Sequence, residues 1–184
     1  MANKLALACA LLALFACADP QVPAYRLDYA EPIVEGRLAM MRGDYERATE
    51  LLLPRARQGH AEAQNAVGVL YLEGWGFEQS YDKAHQWISL SAEQRYPKAM
   101  HNLGRMNRNG WGARKSSSHA AFWYRHAAEA GYPPAQAILG AMLYSGEGGK
   151  VDLVAARQWL RFAAAQGEPA AREYLLKHFP ASGE

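Results

Sequence analysis

The sequence predicts an all-α protein, an α-solenoid of about four and a half helix-pair repeats with a 36-residue period. Three kinds of ladder carry that expectation. Alanines recur 36 apart as Ala48, Ala84, Ala120 and Ala156, as Ala56, Ala92, Ala128 and Ala164, and as Ala63, Ala99, Ala135 and Ala171. Trp87, Trp123 and Trp159 share the spacing, with Leu51 one step earlier. Gly68, Gly104 and Gly140 repeat it, as do Gly74, Gly110 and Gly146. A fixed period of this length means stacked supersecondary units that each bury a face against their neighbours. Such a stack offers a surface that holds something.

The chain opens with residues 1–18, which read as a secretory signal peptide. Met1–Lys4 is a short basic start, and Leu5–Ala16 is an apolar run of twelve, too short to span a bilayer as a helix. Two endings fit. Ala16-Cys17-Ala18 is an A-x-A cleavage site, and Leu14-Phe15-Ala16-Cys17 resembles a bacterial lipobox in which Cys17 is lipidated. The expected location is therefore the periplasm, with or without a lipid anchor at Cys17. The other cysteine, Cys9, also falls in this segment, so the repeats carry no disulfide and rely on packing. The formal charge is +2, or +1 without Lys4. A balance this close to neutral argues against a general nucleic-acid binder.

Residues 19–31 contain Pro20 and Pro23 with little periodicity and read as a tether. The solenoid is expected over residues 32–179, as nine helices, with 180–184 as a tail. The first unit turns tightly through Gly43-Asp44-Tyr45-Glu46-Arg47-Ala48 into its second helix. In the second copy, Pro97 suits the first turn of a helix, where its missing N–H is not needed. Ala99, Leu103 and Met106 form an apolar stripe at helical spacing, and Gly110-Trp111-Gly112 stops the helix. Ser116 to Ser118 supply an N-cap, and Ala120, Trp123, Ala127 and Ala128 form the next stripe. Gly131 ends that helix and Pro133 opens the following unit. The tryptophans are expected in the core, filling space beside the small residues. At the far end Ala171 and Leu175 keep the pattern, but Leu176 stands where glycine stood, as in a capping helix.

Residues Ala61 to Ala156 carry a family resemblance. Glu62-Ala63-Gln64-Asn65-Ala66-Val67-Gly68 through Leu72-Glu73-Gly74-Trp75-Gly76 resembles the first helix and glycine loop of a Sel-one-like repeat. Tyr81-Asp82-Lys83-Ala84-His85-Gln86-Trp87 and Ser91-Ala92-Glu93-Gln94 resemble its second helix. Phe122-Trp123-Tyr124 through Gly131, and Gln158-Trp159 through Gly167, repeat the match. The family belongs to the tetratricopeptide superfamily. The resemblance implies first helices that line a concave face, used mostly as an adaptor for proteins. With the signal segment it points to an exported bacterial member. Some exported bacterial members are immunity proteins against secreted toxins, and others, which tend to have longer arrays, are assembly lipoproteins for polysaccharide export. Asn107 and Leu143 depart from the pattern where Tyr71 stands, and the third loop, Gly146-Glu147-Gly148-Gly149, lacks its aromatic residue. The cysteine-paired branch, associated with penicillin binding and β-lactam hydrolysis, has two cysteines per repeat, and these repeats have none.

If first helices line the groove, Lys98, His101, Arg105 and Arg108 are the partner-binding candidates of the second copy, spaced to share one helical face. Asn65, Leu72 and Tyr144 are the candidates in neighbouring copies, the last two either as anchors or as core residues. Between Glu93 and Glu129 there are seven basic residues and no acidic one. A groove of one sign concentrates an oppositely charged ligand. The six histidines are scattered, with no metal or nucleophile motif, so no catalytic residue, metal or cofactor is expected. The expected function is a non-enzymatic cell-envelope adaptor that binds a protein partner with an acidic segment, such as an immunity or assembly protein. An anionic envelope polymer on the basic stripe is the alternative, and an enzyme of the peptidoglycan or β-lactam type the remote one.

Overall fold

A computed structural model describes residues 31–180 of the chain. The expected signal segment, Cys17 and all but the end of the tether lie outside the described residues, as does the tail beyond residue 180. The described residues form nine helices: α1 (Glu31–Arg42), α2 (Tyr45–Arg57), α3 (Ala61–Glu73), α4 (Tyr81–Glu93), α5 (Pro97–Asn109), α6 (Ser117–Glu129), α7 (Pro133–Ser145), α8 (Leu153–Ala165) and α9 (Pro169–His178). From α2 to α9 each packs chiefly against the helices beside it in sequence, and α1 meets α2 through Gly36 and Leu52, which makes the array an α-solenoid.

Helix ends follow a rule that repeats with the ladders. Second helices begin with a side-chain cap. Asp44, Ser80, Ser116 and Asp152 accept hydrogen bonds from the backbone N–H groups of Arg47, Lys83, His119 and Ala155. Helices α5, α7 and α9 begin instead with a proline, which leaves one fewer N–H to satisfy. First helices α3, α5 and α7 stop at Gly74, Gly110 and Gly146 in the left-handed conformation.

The core corrects one expectation. Trp87, Trp123 and Trp159 are only partly buried and pack on the edge of the core. The interior ladder is one residue later: Leu52, Ile88, Tyr124 and Leu160, each at most 1% exposed. These side chains point at the glycines. A Cβ on Gly104 would lie 2.8 Å from two ring carbons of Tyr124, and one on Gly140 would lie 2.7 Å from Leu160 Cγ. The glycine thus lets the second helix of the pair seat a large side chain directly on the first helix. The first pair does the same with Gly36 and Leu52, across a shorter turn.

Buried polar groups tie the pairs together. Gln94 Nε2 donates to Gln64 Oε1 at 2.7 Å, and Gln64 Nε2 donates to the Ala56 carbonyl. Gln166, Gln136 and the Ala128 carbonyl repeat that relay two copies later. Ser91 Oγ donates to the Ala61 carbonyl at 2.6 Å. Each of these would destabilise the fold if left unpaired.

Candidate functional site

First helices lie side by side and are joined by polar contacts. Arg37 of α1 donates to Glu62 of α3 at 2.6 Å, Asn102 of α5 donates to Asn65 of α3 at 2.8 Å, and Arg105 of α5 donates to Glu73 at the end of α3 at 2.9 Å. Between them lies a shallow cleft of about 130 Å³ lined by Arg37, Met40, Glu62, Val69, Tyr96 and Lys98, among others. Lys98 is exposed and makes no ion pair among the described residues.

The rest of the predicted set is placed differently. Arg105 and Arg108 are not free cations. Arg108 donates through Nε and Nη2 to the Glu147 carboxylate at 2.8 and 2.6 Å, and this raises its pKa. Arg105 also lies over the Trp111 ring, 5.6 Å from its centroid. The acidic residues absent from the second copy therefore arrive from the copies on either side. His101 faces inward, edge-on to Tyr124 and Tyr132 with ring centroids 5.4 and 5.2 Å away. Burial, and secondarily Arg105, push its pKa down to about 4, so the ring is neutral at physiological pH, and Nδ1 has no hydrogen-bond partner.

Asn65 is buried and spent on its bond to Asn102. Leu72 is a correction: at 2% exposed it belongs to the core and offers no anchor surface. Helical phase explains this, because the solenoid buries α3 on two sides, against α2 and against α4. Tyr144 is partly buried under the terminal helix, in ring contact with Tyr174, His178 and Phe179.

A second concavity was not foreseen. It lies where α6, α7 and the loop before α8 meet, and has a volume of about 240 Å³. Its floor is Leu139 and Met142, and its walls include Ala121, Leu143 and Gly149. The loss of the aromatic residue from the third loop was the visible signal for it. Among the described residues no group of three His, Cys, Asp or Glu side chains is arranged to hold a metal ion. No described helix is long and apolar enough to cross a membrane.

Fold and faces together define an α-solenoid repeat protein whose features are surfaces and clefts. Sel1 repeats match residues 61–96, 97–132 and 133–168, and the chain belongs to the Sel1 repeat family. Among solved structures it is similar to a Sel1 repeat protein from Oxalobacter formigenes, with 34% identity and a TM-score of 0.72 over 76% of this chain and 56% of that one. It is also similar to a protective antigen of uropathogenic Escherichia coli described as displaying an SLR fold, with 28% identity and a TM-score of 0.73. That match covers 82% of this chain and 34% of the antigen, so this chain spans only part of either relative's length. Helicobacter pylori cysteine rich protein B shares the fold at 20% identity and a TM-score of 0.57, over 72% of this chain and 95% of that one. A search of curated proteins finds no match.

Proposed function

We propose that this protein is a non-enzymatic adaptor of the bacterial cell envelope, which binds a protein partner on the face formed by its first helices. Sel1 repeat proteins are typically protein-interaction scaffolds. The observation that carries the reading is the cleft across α1, α3 and α5, where Lys98 and Val69 remain available beside polar contacts that hold the helices in register. Arg105 and Arg108 would border the bound segment, with Glu73 and Glu147 fixing their orientation. An acidic stretch of the partner would meet Lys98. Because the two arginines are already paired, a purely electrostatic grip on an anionic polymer is the weaker reading. Residues 1–18 would direct export, with either Cys17 lipidated or cleavage after Ala18. Mass spectrometry of the mature N-terminus distinguishes these.

The test is capture of partners from envelope extracts by the tagged chain, beside a Val69→Glu, Lys98→Glu variant. A specific protein recovered by the first and lost by the second is expected. A protein bound equally by both would move the site off this face. Recovery of polysaccharide alone, released steeply by salt, would replace the adaptor reading with the polymer one.

A further inference from the structure

We infer that the cleft between α6, α7 and the loop before α8 is a receptor for one aromatic side chain of a protein ligand, flanked in that ligand by an acidic residue. The inference rests on the reading that the chain binds proteins, but it names a different surface.

The solenoid contains its own template for what fits there. In the first copy the corresponding space is filled from within. Phe77 stacks on Tyr71 at 4.1 Å between centroids, and Trp75 stacks on Tyr45 at 4.9 Å. In the second copy Trp111 stacks on Tyr81 at 5.7 Å, and His85 approaches the loop, its Cβ 3.0 Å from where a Cβ on Gly112 would sit. The third copy loses bulk at each of these places. Leu143 replaces Tyr71, Gly149 replaces Phe77, Glu147 replaces the tryptophan, Ser117 replaces the tyrosine under it, and Ala121 replaces His85. The loop keeps its close approach to the preceding copy's helix, since a Cβ on Gly148 would meet the Ser117 carbonyl oxygen as one on Gly112 would meet that of Tyr81. Where the rings are missing there is a cleft of about 240 Å³ over Leu139 and Met142. A dry cavity of about 150 Å³ lined by apolar side chains is enough to bind benzene. An indole or phenol ring is therefore of the right size, and it is the kind of group this scaffold already holds at the same position.

The substituted residues also set the charge at the mouth. Glu147 does not sit free in the cleft. It accepts from Ser117 Oγ at 3.3 Å and from Arg108 in two bonds, which draw its charge into a pair. Asp152 is engaged in capping α8. Arg125 and Lys150, both exposed and lining the cleft, make no ion pair among the described residues. A carboxylate beside the inserted ring would meet these two cations.

The test uses the full chain, labelled with ¹⁵N, titrated with the capped dipeptide N-acetyl-Trp-Glu-amide. Amide shifts are expected at Ala121, Leu143, Gly148 and Gly149, with N-acetyl-Ala-Glu-amide giving none. Gly149→Phe should weaken the Kd at least about tenfold by refilling the cleft as Phe77 does in the first copy. This variant is sterically safe, since a Cβ at Gly149 meets nothing within 4 Å and its backbone is not left-handed. Its own spectrum reports whether it folds, and Leu143→Tyr is the second filling variant. Arg125→Ala with Lys150→Ala should abolish the preference for Trp-Glu over Trp-Gln while leaving ring binding in place. No shifts at millimolar dipeptide, or shifts that persist in both filling variants, would overturn the inference. Shifts confined to Val69 and Lys98 would overturn it while leaving the adaptor reading intact.

Discussion

Replacing Gly104 with alanine sets two effects of known size against each other. In an exposed helix interior the change stabilises by about 1 kcal/mol. Here the new methyl would lie 2.8, 2.8 and 3.0 Å from three carbons of the Tyr124 ring. That ring is 1% exposed and meets the edge of His101, so it has no open direction in which to move. Overpacking of this kind costs about 1–3 kcal/mol. The net expectation is a loss of about 1 kcal/mol, a fall in Tm of about 2–4 °C for a chain of this length. In a Tyr124→Ala background the obstruction is gone, and the same Gly104→Ala change should stabilise by about 1 kcal/mol. The coupling between the two sites is then about 2 kcal/mol. Urea melts of the four proteins followed by circular dichroism measure it. If Gly104→Ala stabilises equally in both backgrounds, the claim that the glycine exists to seat Tyr124 is wrong.

Four further outcomes follow from particular residues. His101 is neutral in the fold with its pKa near 4, against about 6.5 when unfolded, so the unfolded chain takes up the proton first as pH falls. Stability present above pH 6.5 should decline by about 3 kcal/mol between there and pH 4, and His101→Phe should flatten that decline in melts across the window. Arg95 holds a left-handed backbone (φ 61°) where the other copies have Gly59, Gly131 and Gly167, so Arg95→Gly should raise stability by about 1 kcal/mol in a urea melt. Leu160→Ala should cost about 2–5 kcal/mol while Arg161→Ala stays within about 0.5, a contrast that thermal melts resolve. The Arg108–Glu147 pair should yield no more than about 1 kcal/mol in a double-mutant cycle, despite its two hydrogen bonds, because the arginine side chain is 45% exposed.

Much of the architecture was legible before any coordinates. The alanine and glycine ladders, the prolines that open α5 and α7 and the capping Ser116 are local signals. Each acts through a backbone conformation or a helix end, so each survives in a one-dimensional reading. They determined the class, the period, the nine helices and the family.

Tertiary structure decided what spacing leaves open. Periodicity alone could not tell whether Trp123 or Tyr124 is innermost, because neighbouring residues on a helix differ by only about 100° and a bulky tryptophan satisfies either assignment. It left Leu72 open between anchor and core, because it could not tell that a first helix in a stack is buried on two sides. It read an unbalanced basic stripe in the second copy because the balancing carboxylates, Glu73 and Glu147, lie 32 and 39 residues from Arg105 and Arg108. The third-loop cleft was visible only as a missing aromatic letter. Its volume depends on the loop keeping its approach to the preceding copy's helix after the rings are gone, and that is a property of packing between copies rather than of any one of them.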